Sequence, residues 1–212
     1  MGAWLRFFRV KNLLTVPGDV LVGVAATFAV APGCSAAALV RPSLFAAAGG
    51  VLLYMFGLAD NDVVGAPTDP KTRPLVSGEI SMTAARLARG TCLVAALGAG
   101  VLAGLPAWWR LGAMLLVLAI VLYNRTKSCW LMGLCRGLNV LCGAWALGAA
   151  AGPMALGAAA VWTAYVAGVT KYSEREVFDP TNERKVALLV FGLLGLQLAA
   201  LVLFALMRSL SA

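Results

Sequence analysis

Residues 107–123 read AWWRLGAMLLVLAIVLY and contain a single charge, Arg110. A helix needs about 20 such residues to cross the hydrocarbon core of a bilayer. The strands of a membrane β-barrel would instead alternate apolar and polar residues, which this stretch does not. Six further stretches are similarly apolar, although some are short: 16–32, 43–59, 90–105, 131–151, 155–172 and 186–207. The sequence therefore predicts an all-α integral membrane protein, a bundle of about seven transmembrane helices forming one domain over residues 1–212.

Composition supports a membrane protein. Of the 212 residues, 61% are hydrophobic and 12% are charged, which leaves too little polar surface to cover a water-soluble globule. Histidine, the commonest general base and metal ligand, is absent. The five cysteines include no CxxC pair and indicate neither a disulfide framework nor a metal site.

The distribution of lysine and arginine predicts the orientation, because cytoplasmic loops are enriched in both. With the N-terminus in the cytoplasm, only Arg41, Arg110 and Arg208 face outward. We therefore expect a multi-pass protein of a bacterial cytoplasmic membrane with a cytoplasmic N-terminus. The net charge of +8 lies beside the membrane spans, so it favours anionic lipid headgroups or an anionic substrate and not nucleic acid.

The loop after the second apolar stretch carries the most polar cluster of the chain. Carboxylates beside a carboxamide suit Mg²⁺, which usually shares its oxygen ligands with substrate phosphates, and nearby cations could bind those phosphates. The alternative is a solvated loop that caps a helix. The residues are Asp60, Asn61, Asp62, Asp69, Lys71 and Arg73.

Three further polar clusters lie at the predicted cytoplasmic ends of helices. One follows the sixth stretch, where a charged loop without further function is the simpler interpretation. In another, Arg136 and Asn139 are spaced to share one helical face, with a snorkelling arginine as the alternative. The clusters are Lys171, Arg175, Glu176 and Asp179; Tyr123 and Lys127 with Arg136 and Asn139; and Arg9 and Asn12 with Asp19.

In order along the chain, these motifs resemble the UbiA superfamily of intramembrane prenyltransferases. The second acidic segment, with Ser173 and Glu176, looks like the branch of that superfamily found in ebo-type gene clusters. The run RPLVSG at residues 73–78 matches the RPLxSG of that family. In the preceding NDxxDxxxD, Asn61, Asp62 and Asp69 match, whereas Gly65 replaces the central aspartate and Asp60 is a possible substitute. The YxxxK motif corresponds to Tyr123 and Lys127, and the second acidic motif is irregular.

The resemblance implies transfer of an isoprenyl group from an isoprenyl diphosphate to an aromatic or lipid acceptor, with Mg²⁺ and with the isoprenyl chain in an apolar cleft. It implies catalytic roles for Asn61, Asp62, Asp69 and Lys127. The implied metal ligands are Asn61, Asp62, Asp69, Glu176 and Asp179. The implied substrate-binding residues are Asn12, Lys71, Arg73, Tyr123, Arg136, Asn139, Lys171 and Arg175.

The departures from the family pattern lead to a second hypothesis about the activity. The family usually has nine helices, so the last two lack a counterpart here: either the chain is a shorter member, or a second copy or a partner subunit completes the bundle. A catalytically degenerate protein that binds or moves an isoprenoid lipid, or that serves as a membrane subunit, is the other hypothesis. The CDP-alcohol phosphotransferases are excluded because their DxxDG motif is missing.

Overall fold

The computed structural model describes residues 2–28, 36–148 and 151–176. Within these ranges the chain is helical, without strands. The helices are α1 Ala3–Phe7, α2 Val10–Leu13, α3 Val16–Phe28, α4 Ala36–Gly65, α5 Met82–Leu102, α6 Ala107–Thr126, α7 Cys129–Trp145 and α8 Pro153–Glu176. The predicted all-α fold is confirmed, and the seventh predicted stretch, 186–207, lies outside the described residues.

Four of the described helices, α4, α5, α6 and α8, are long and apolar enough to cross a membrane. The protein is therefore a multi-pass membrane protein. α7 packs against α3, α6 and α8, and α4 packs against α3, α5 and α6. At the end that bears the site, two helices extend at least six residues beyond the predicted stretches: α4 ends at Gly65 and not at residue 59, and α5 begins at Met82 and not at residue 90. Hydropathy missed both ends because they carry charged residues that are paired across helices.

Glycines allow α3 and α7 to meet at backbone distance. A Cβ atom at Gly23 would lie 1.8 Å from the carbonyl oxygen of Val140, and one at Gly143 would lie 2.0 Å from that of Val20. Any larger residue would force the helices apart. Small residues at helix interfaces are how membrane helices gain close van der Waals packing, since lipid gives no hydrophobic force between them.

The N-terminal segment is fixed against the end of α4 that bears the carboxylates. Phe7 is fully buried and belongs to one apolar cluster with Ala59 of α4 and with Leu75 and Ile80 of the following loop. Arg9, between α1 and α2, has a left-handed backbone with φ of 44°. This packing brings the N-terminal segment and the 66–81 loop to the same end of the bundle.

Candidate active site

A buried carboxylate held by two arginines forms the centre of the candidate site. Asp62, near the end of α4, is 2% exposed. Its Oδ1 accepts hydrogen bonds from Arg9 Nη2 at 2.7 Å and from Arg73 Nη1 at 2.8 Å. Both arginine side chains are 31% exposed, so they have one side on Asp62 and the other on solvent. The site therefore presents positive charge outward at the end of α4.

The loop after α4 folds Asp69 back onto the helix. The backbone N–H groups of Thr68 and Asp69 both donate to the carbonyl oxygen of Gly65 at 2.9 Å. A Cβ atom at Gly65 would lie 2.8 Å from Asp69 Oδ2, so the carboxylate of Asp69 occupies the space that a side chain at position 65 would need. Asp69 Oδ2 is buried and accepts no hydrogen bond from the described residues, although Arg73 Nε lies 3.9 Å away.

The RPLVSG run, residues 73–78, anchors the second half of this loop. Leu75 is buried in the cluster around Phe7, which anchors the segment that carries Arg73. Gly78 has φ of +79°, a conformation that favours glycine, and its N–H donates to the carbonyl oxygen of Leu75. The motif therefore fixes the backbone around Arg73, and Arg73 is the residue of the motif that contacts Asp62.

Lys127 brings a third cation from α6. It ends that helix in a left-handed conformation with φ of 55° and donates a hydrogen bond to Asn61 Oδ1. Its ammonium also lies 5.6 Å from the ring centre of Tyr123. Partial burial lowers the pKa of Lys127, and the nearby carboxylate of Asp69 opposes that shift.

Asp60 has a different set of partners. It is 5% exposed, and it accepts hydrogen bonds from Arg89 Nη1 of α5 at 3.1 Å and Asn124 Nδ2 of α6 at 2.8 Å. Asn124 also donates to the carbonyl oxygen of Gly57. Asp60 thus joins α4, α5 and α6, and both of its oxygens are already engaged. This makes it a poor substitute for the central aspartate of the UbiA motif, a role that its sequence position had suggested.

A second buried carboxylate lies on α3. Asp19 is fully buried and accepts hydrogen bonds from Arg136 Nη2 at 2.9 Å, Asn139 Nδ2 at 3.3 Å and Trp162 Nε1 at 2.7 Å. Arg136 Nε lies 2.8 Å from its other oxygen. Arg136 and Asn139 share a helical face, as their spacing predicts. The arginine does not snorkel to the interface, because its side chain is only 15% exposed and is turned towards Asp19.

An apolar cleft connects the two carboxylate clusters. Its volume is about 100 Å³. One face of α4 lines it with Gly50, Tyr54, Gly57 and Asn61, at the spacing of successive helical turns. The opposite walls come from α6 and α7, with Leu116, Ile120, Met132 and Cys135 among them.

The other predicted binding residues lie farther out. Asn12 and Lys71 are exposed, and the side chain of neither makes a hydrogen bond to the described residues that would orient it towards Asp62. Lys171 is exposed near the end of α8. The side chains of Arg175 and Glu176, and all of Asp179, lie outside the described residues, as does the rest of the second acidic motif.

The helix arrangement is similar to that of solved membrane proteins. One is a digeranylgeranylglyceryl phosphate synthase in membranes, at 18% identity and a TM-score of 0.68, with 98% of this chain and 83% of the synthase covered. Another is a UbiA homologue from Archaeoglobus fulgidus, at 16% identity and a TM-score of 0.62, with 97% and 78% covered. The chain has the UbiA fold.

The same UbiA homologue has also been solved with GPP and Mg²⁺ bound; there the identity is 18% and the TM-score 0.63, with 97% of this chain and 75% of that chain covered. No family model and no curated protein matches the sequence. The resemblance seen in the sequence motifs is therefore confirmed by the fold and not by overall sequence similarity.

The donors present in this UbiA fold suit Mg²⁺. No three Asp, Glu, Cys or His side chains converge on one point in the described part of the chain. However, Mg²⁺ is usually held by one or two carboxylates together with substrate phosphates. Asp62 and Asp69 supply two carboxylates, Asn61 adds an amide oxygen, and the unpartnered Asp69 Oδ2 is a free acceptor at this place. We infer that these three residues would hold the ion.

The sequence placed Arg9 in a polar cluster with Asn12 and Asp19 but did not indicate that it contacts Asp62. The contact of Arg9 with Asp62 spans 53 residues. The signals in the sequence were its place in that cluster and its position just before the first apolar stretch. The role of Asp19 as the partner of Arg136, 117 residues away, was likewise not apparent from the motifs.

Proposed function

We propose that the protein is a Mg²⁺-dependent intramembrane prenyltransferase that moves an isoprenyl group from an isoprenyl diphosphate to a small-molecule or lipid acceptor. The observation that carries this proposal is the buried Asp62 between Arg9 and Arg73 at the polar end of an apolar cleft. An isoprenyl diphosphate has the same two-part character, an anionic head on a hydrocarbon chain. The related fold bound to GPP and Mg²⁺ supports the choice.

Three cations of this chain suit the diphosphate. Arg9, Arg73 and Lys127 all reach the carboxylate end of α4 from different segments, and arginine binds phosphate oxygens in a bidentate manner. The arginines are half-exposed, so each can turn an N–H group to a phosphate oxygen without leaving the site. When bound, Mg²⁺ would neutralise charge on the leaving diphosphate.

In the proposed reaction, loss of the diphosphate activates the isoprenyl group. The bond between its C1 and the diphosphate oxygen breaks, and the bonding electrons leave with the diphosphate. The resulting allylic cation is attacked at C1 by a nucleophile of the acceptor, which then loses a proton to the released diphosphate. The walls of Leu116 and Ile120 exclude water, which would otherwise capture the cation, and the ring of Tyr123 near Lys127 can stabilise positive charge.

The orientation predicted from lysine and arginine places this end of the bundle in the cytoplasm. We propose the same for the site, because soluble diphosphate and Mg²⁺ are available there. The test of orientation is a thiol-reactive, membrane-impermeant label on a cysteine introduced at Lys71, in a protein whose five native cysteines are replaced by alanine. The label should attach in inside-out vesicles but not in intact cells. Labelling in intact cells would contradict it.

The direct test is binding of labelled geranyl diphosphate to the protein in lipid nanodiscs, with Mg²⁺ and then with a chelator. Asp62→Asn should reduce Mg²⁺-dependent binding by at least tenfold. Glu79→Gln is the matched control, because Glu79 is an exposed carboxylate that pairs with Arg6 in the same region. Binding that is equal in Asp62→Asn and in Glu79→Gln would refute the metal role of Asp62.

A non-catalytic isoprenoid-binding protein is the second candidate. It is favoured by the arginine pairs that already engage Asp62, and by Gly65 in place of a third carboxylate. It predicts lipid binding that is unchanged by chelator and by Asp62→Asn. Release of diphosphate by the purified protein, with Mg²⁺ and a set of phenolic acceptors, would exclude this candidate.

A further inference from the structure

We infer that Asp60 and Asn124 are positioning residues, which hold Lys127 at the diphosphate site without binding the diphosphate themselves. This inference rests on the proposed function, because it takes Lys127 as one of the cations that bind the diphosphate. Neither residue is a defined position of the UbiA motifs. Asp60 immediately precedes the NDxxDxxxD motif, and Asn124 lies between the tyrosine and the lysine of the YxxxK motif.

Two hydrogen bonds join the end of α4 to the end of α6, and they lie side by side. In the first, Asp60 Oδ2 accepts from Asn124 Nδ2 at 2.8 Å. In the second, Asn61 Oδ1 accepts from the ammonium of Lys127. The two acceptors are neighbours on α4, and the two donors are three residues apart, slightly less than one helical turn. The first bond therefore limits where the second can form.

The two bonds differ in burial. Asp60 and Asn124 are 5% and 2% exposed, so water does not compete for the bond between them. The bond from Lys127 to Asn61 is exposed to solvent. A lysine side chain is a point charge on a flexible stem, and it keeps one position only where its backbone is fixed. The buried bond provides that fixed point.

The last turn of α6 is held at two places on α4. Asn124 Nδ2 donates to the carbonyl oxygen of Gly57 at 3.1 Å as well as to Asp60, three residues later. One bond would let the helices slide or rotate against each other, whereas two acceptors at different heights oppose both motions. α6 ends at Thr126, so Asn124 anchors the helix directly before Lys127.

A carboxylate at position 60 can serve two donors at once. Asp60 Oδ1 accepts from Arg89 Nη1 of α5 at 3.1 Å, while Oδ2 accepts from Asn124 of α6. An asparagine would offer only one acceptor oxygen. A buried ion pair often adds no more stability than apolar residues of similar volume. The pair is therefore better explained by the geometry that it imposes on the three helices.

The experiment measures Mg²⁺-dependent binding of inorganic pyrophosphate to the protein in nanodiscs, with dimethylallyl diphosphate as a second probe. Pyrophosphate has no isoprenyl chain, so a lost contact in the cleft, which Asn124 also lines, cannot weaken its binding. Asn124→Leu should weaken it by about fivefold or more. Trp162→Phe is the matched control, because it removes a hydrogen bond to the buried Asp19, away from the site, and should change binding by less than about twofold.

A double-mutant cycle distinguishes positioning from a general loss of structure. Lys127→Gln alone should weaken pyrophosphate binding by about tenfold. Adding Asn124→Leu to it should then weaken binding by less than about a further twofold, because the residue acts through Lys127. Effects of the two changes that multiply would overturn the inference. If the leucine variant does not fold, Asn124→Ala completes the same cycle.

Asp60→Asn separates positioning from metal binding. It keeps one acceptor oxygen for Asn124, so pyrophosphate binding should weaken by no more than about threefold, against about tenfold or more for Asp62→Asn. Equal losses in the two variants would make Asp60 a metal ligand and would overturn its positioning role alone. If the unmodified protein binds neither pyrophosphate nor an isoprenyl diphosphate, the proposed function is overturned, and this inference with it.

Discussion

Removal of Asp19 should destabilise the bundle strongly, because this carboxylate is fully buried and is the partner of Arg136. Asp19→Leu leaves the guanidinium without its counter-ion, and breaking a buried ion pair in this way costs about 3–5 kcal/mol. The equilibrium constant for unfolding should therefore rise by about 10² to 10³ or more. Asp19→Asn keeps an acceptor for Trp162, so its free energy of unfolding should lie between those of the unmodified protein and Asp19→Leu.

Removal of both charges together distinguishes the cost of an unpaired buried charge from the cost of lost packing. Asp19→Leu combined with Arg136→Leu should recover at least half of the lost stability, because no charge is left unpaired. The double variant should still be less stable than the unmodified protein, because the indole N–H of Trp162 then lacks its acceptor. A buried donor left without a partner costs about 1–3 kcal/mol. Unfolding by sodium dodecyl sulfate in mixed micelles, followed by circular dichroism, measures these differences. A double variant no more stable than Asp19→Leu would refute the reasoning.

Other predictions concern the polar end. Gly65→Ala places a Cβ atom 2.8 Å from Asp69 Oδ2 and should weaken Mg²⁺-dependent diphosphate binding by about 10- to 100-fold in the nanodisc assay. Diphosphate binding should weaken as the pH rises, because Lys127 then loses its proton. Since the pKa of Lys127 is lowered, this loss should occur at a lower pH than for an ordinary lysine. Lys127→Arg should remove this dependence on pH. Asn124→Leu leaves Asp60 without one donor and should lower the unfolding free energy by about 1–3 kcal/mol in the same detergent titration.

The sequence predicted the helices better than the contacts between them. Apolar length is a local property, so the stretch at 107–123 corresponds closely to α6. The ends of α4 and α5 were misplaced because Asp60 and Arg89 look like loop residues when each is read alone. They are 29 residues apart and form an ion pair that keeps both on helices. Which cation meets which carboxylate depends on how the helices are rotated, and hydropathy carries no information on that rotation.

For the candidate site, too, the sequence predicted local features but not the contacts between segments. The RPLVSG run identified Arg73 because its glycine and leucine serve a local turn that the sequence encodes directly. Gly65 looked like the loss of a ligand, whereas the structure shows that Asp69 uses the vacated space. Such a replacement cannot be deduced from spacing, since it depends on a loop that folds back over the end of a helix.

The pairing of charges explains how one helix bundle can hold polar chemistry inside a membrane. Charged side chains at membrane depth are costly unless they find partners. Asp19, Asp60 and Asp62 are all buried, and each is matched by at least one arginine from another segment. The arginines differ in exposure: Arg136 is largely enclosed, whereas Arg9 and Arg73 remain open on one side. An incoming diphosphate can compete for the open pair but not for the enclosed one. The Asp62 cluster is therefore the end suited to bind a ligand, whereas the Asp19 cluster holds α3, α7 and α8 together.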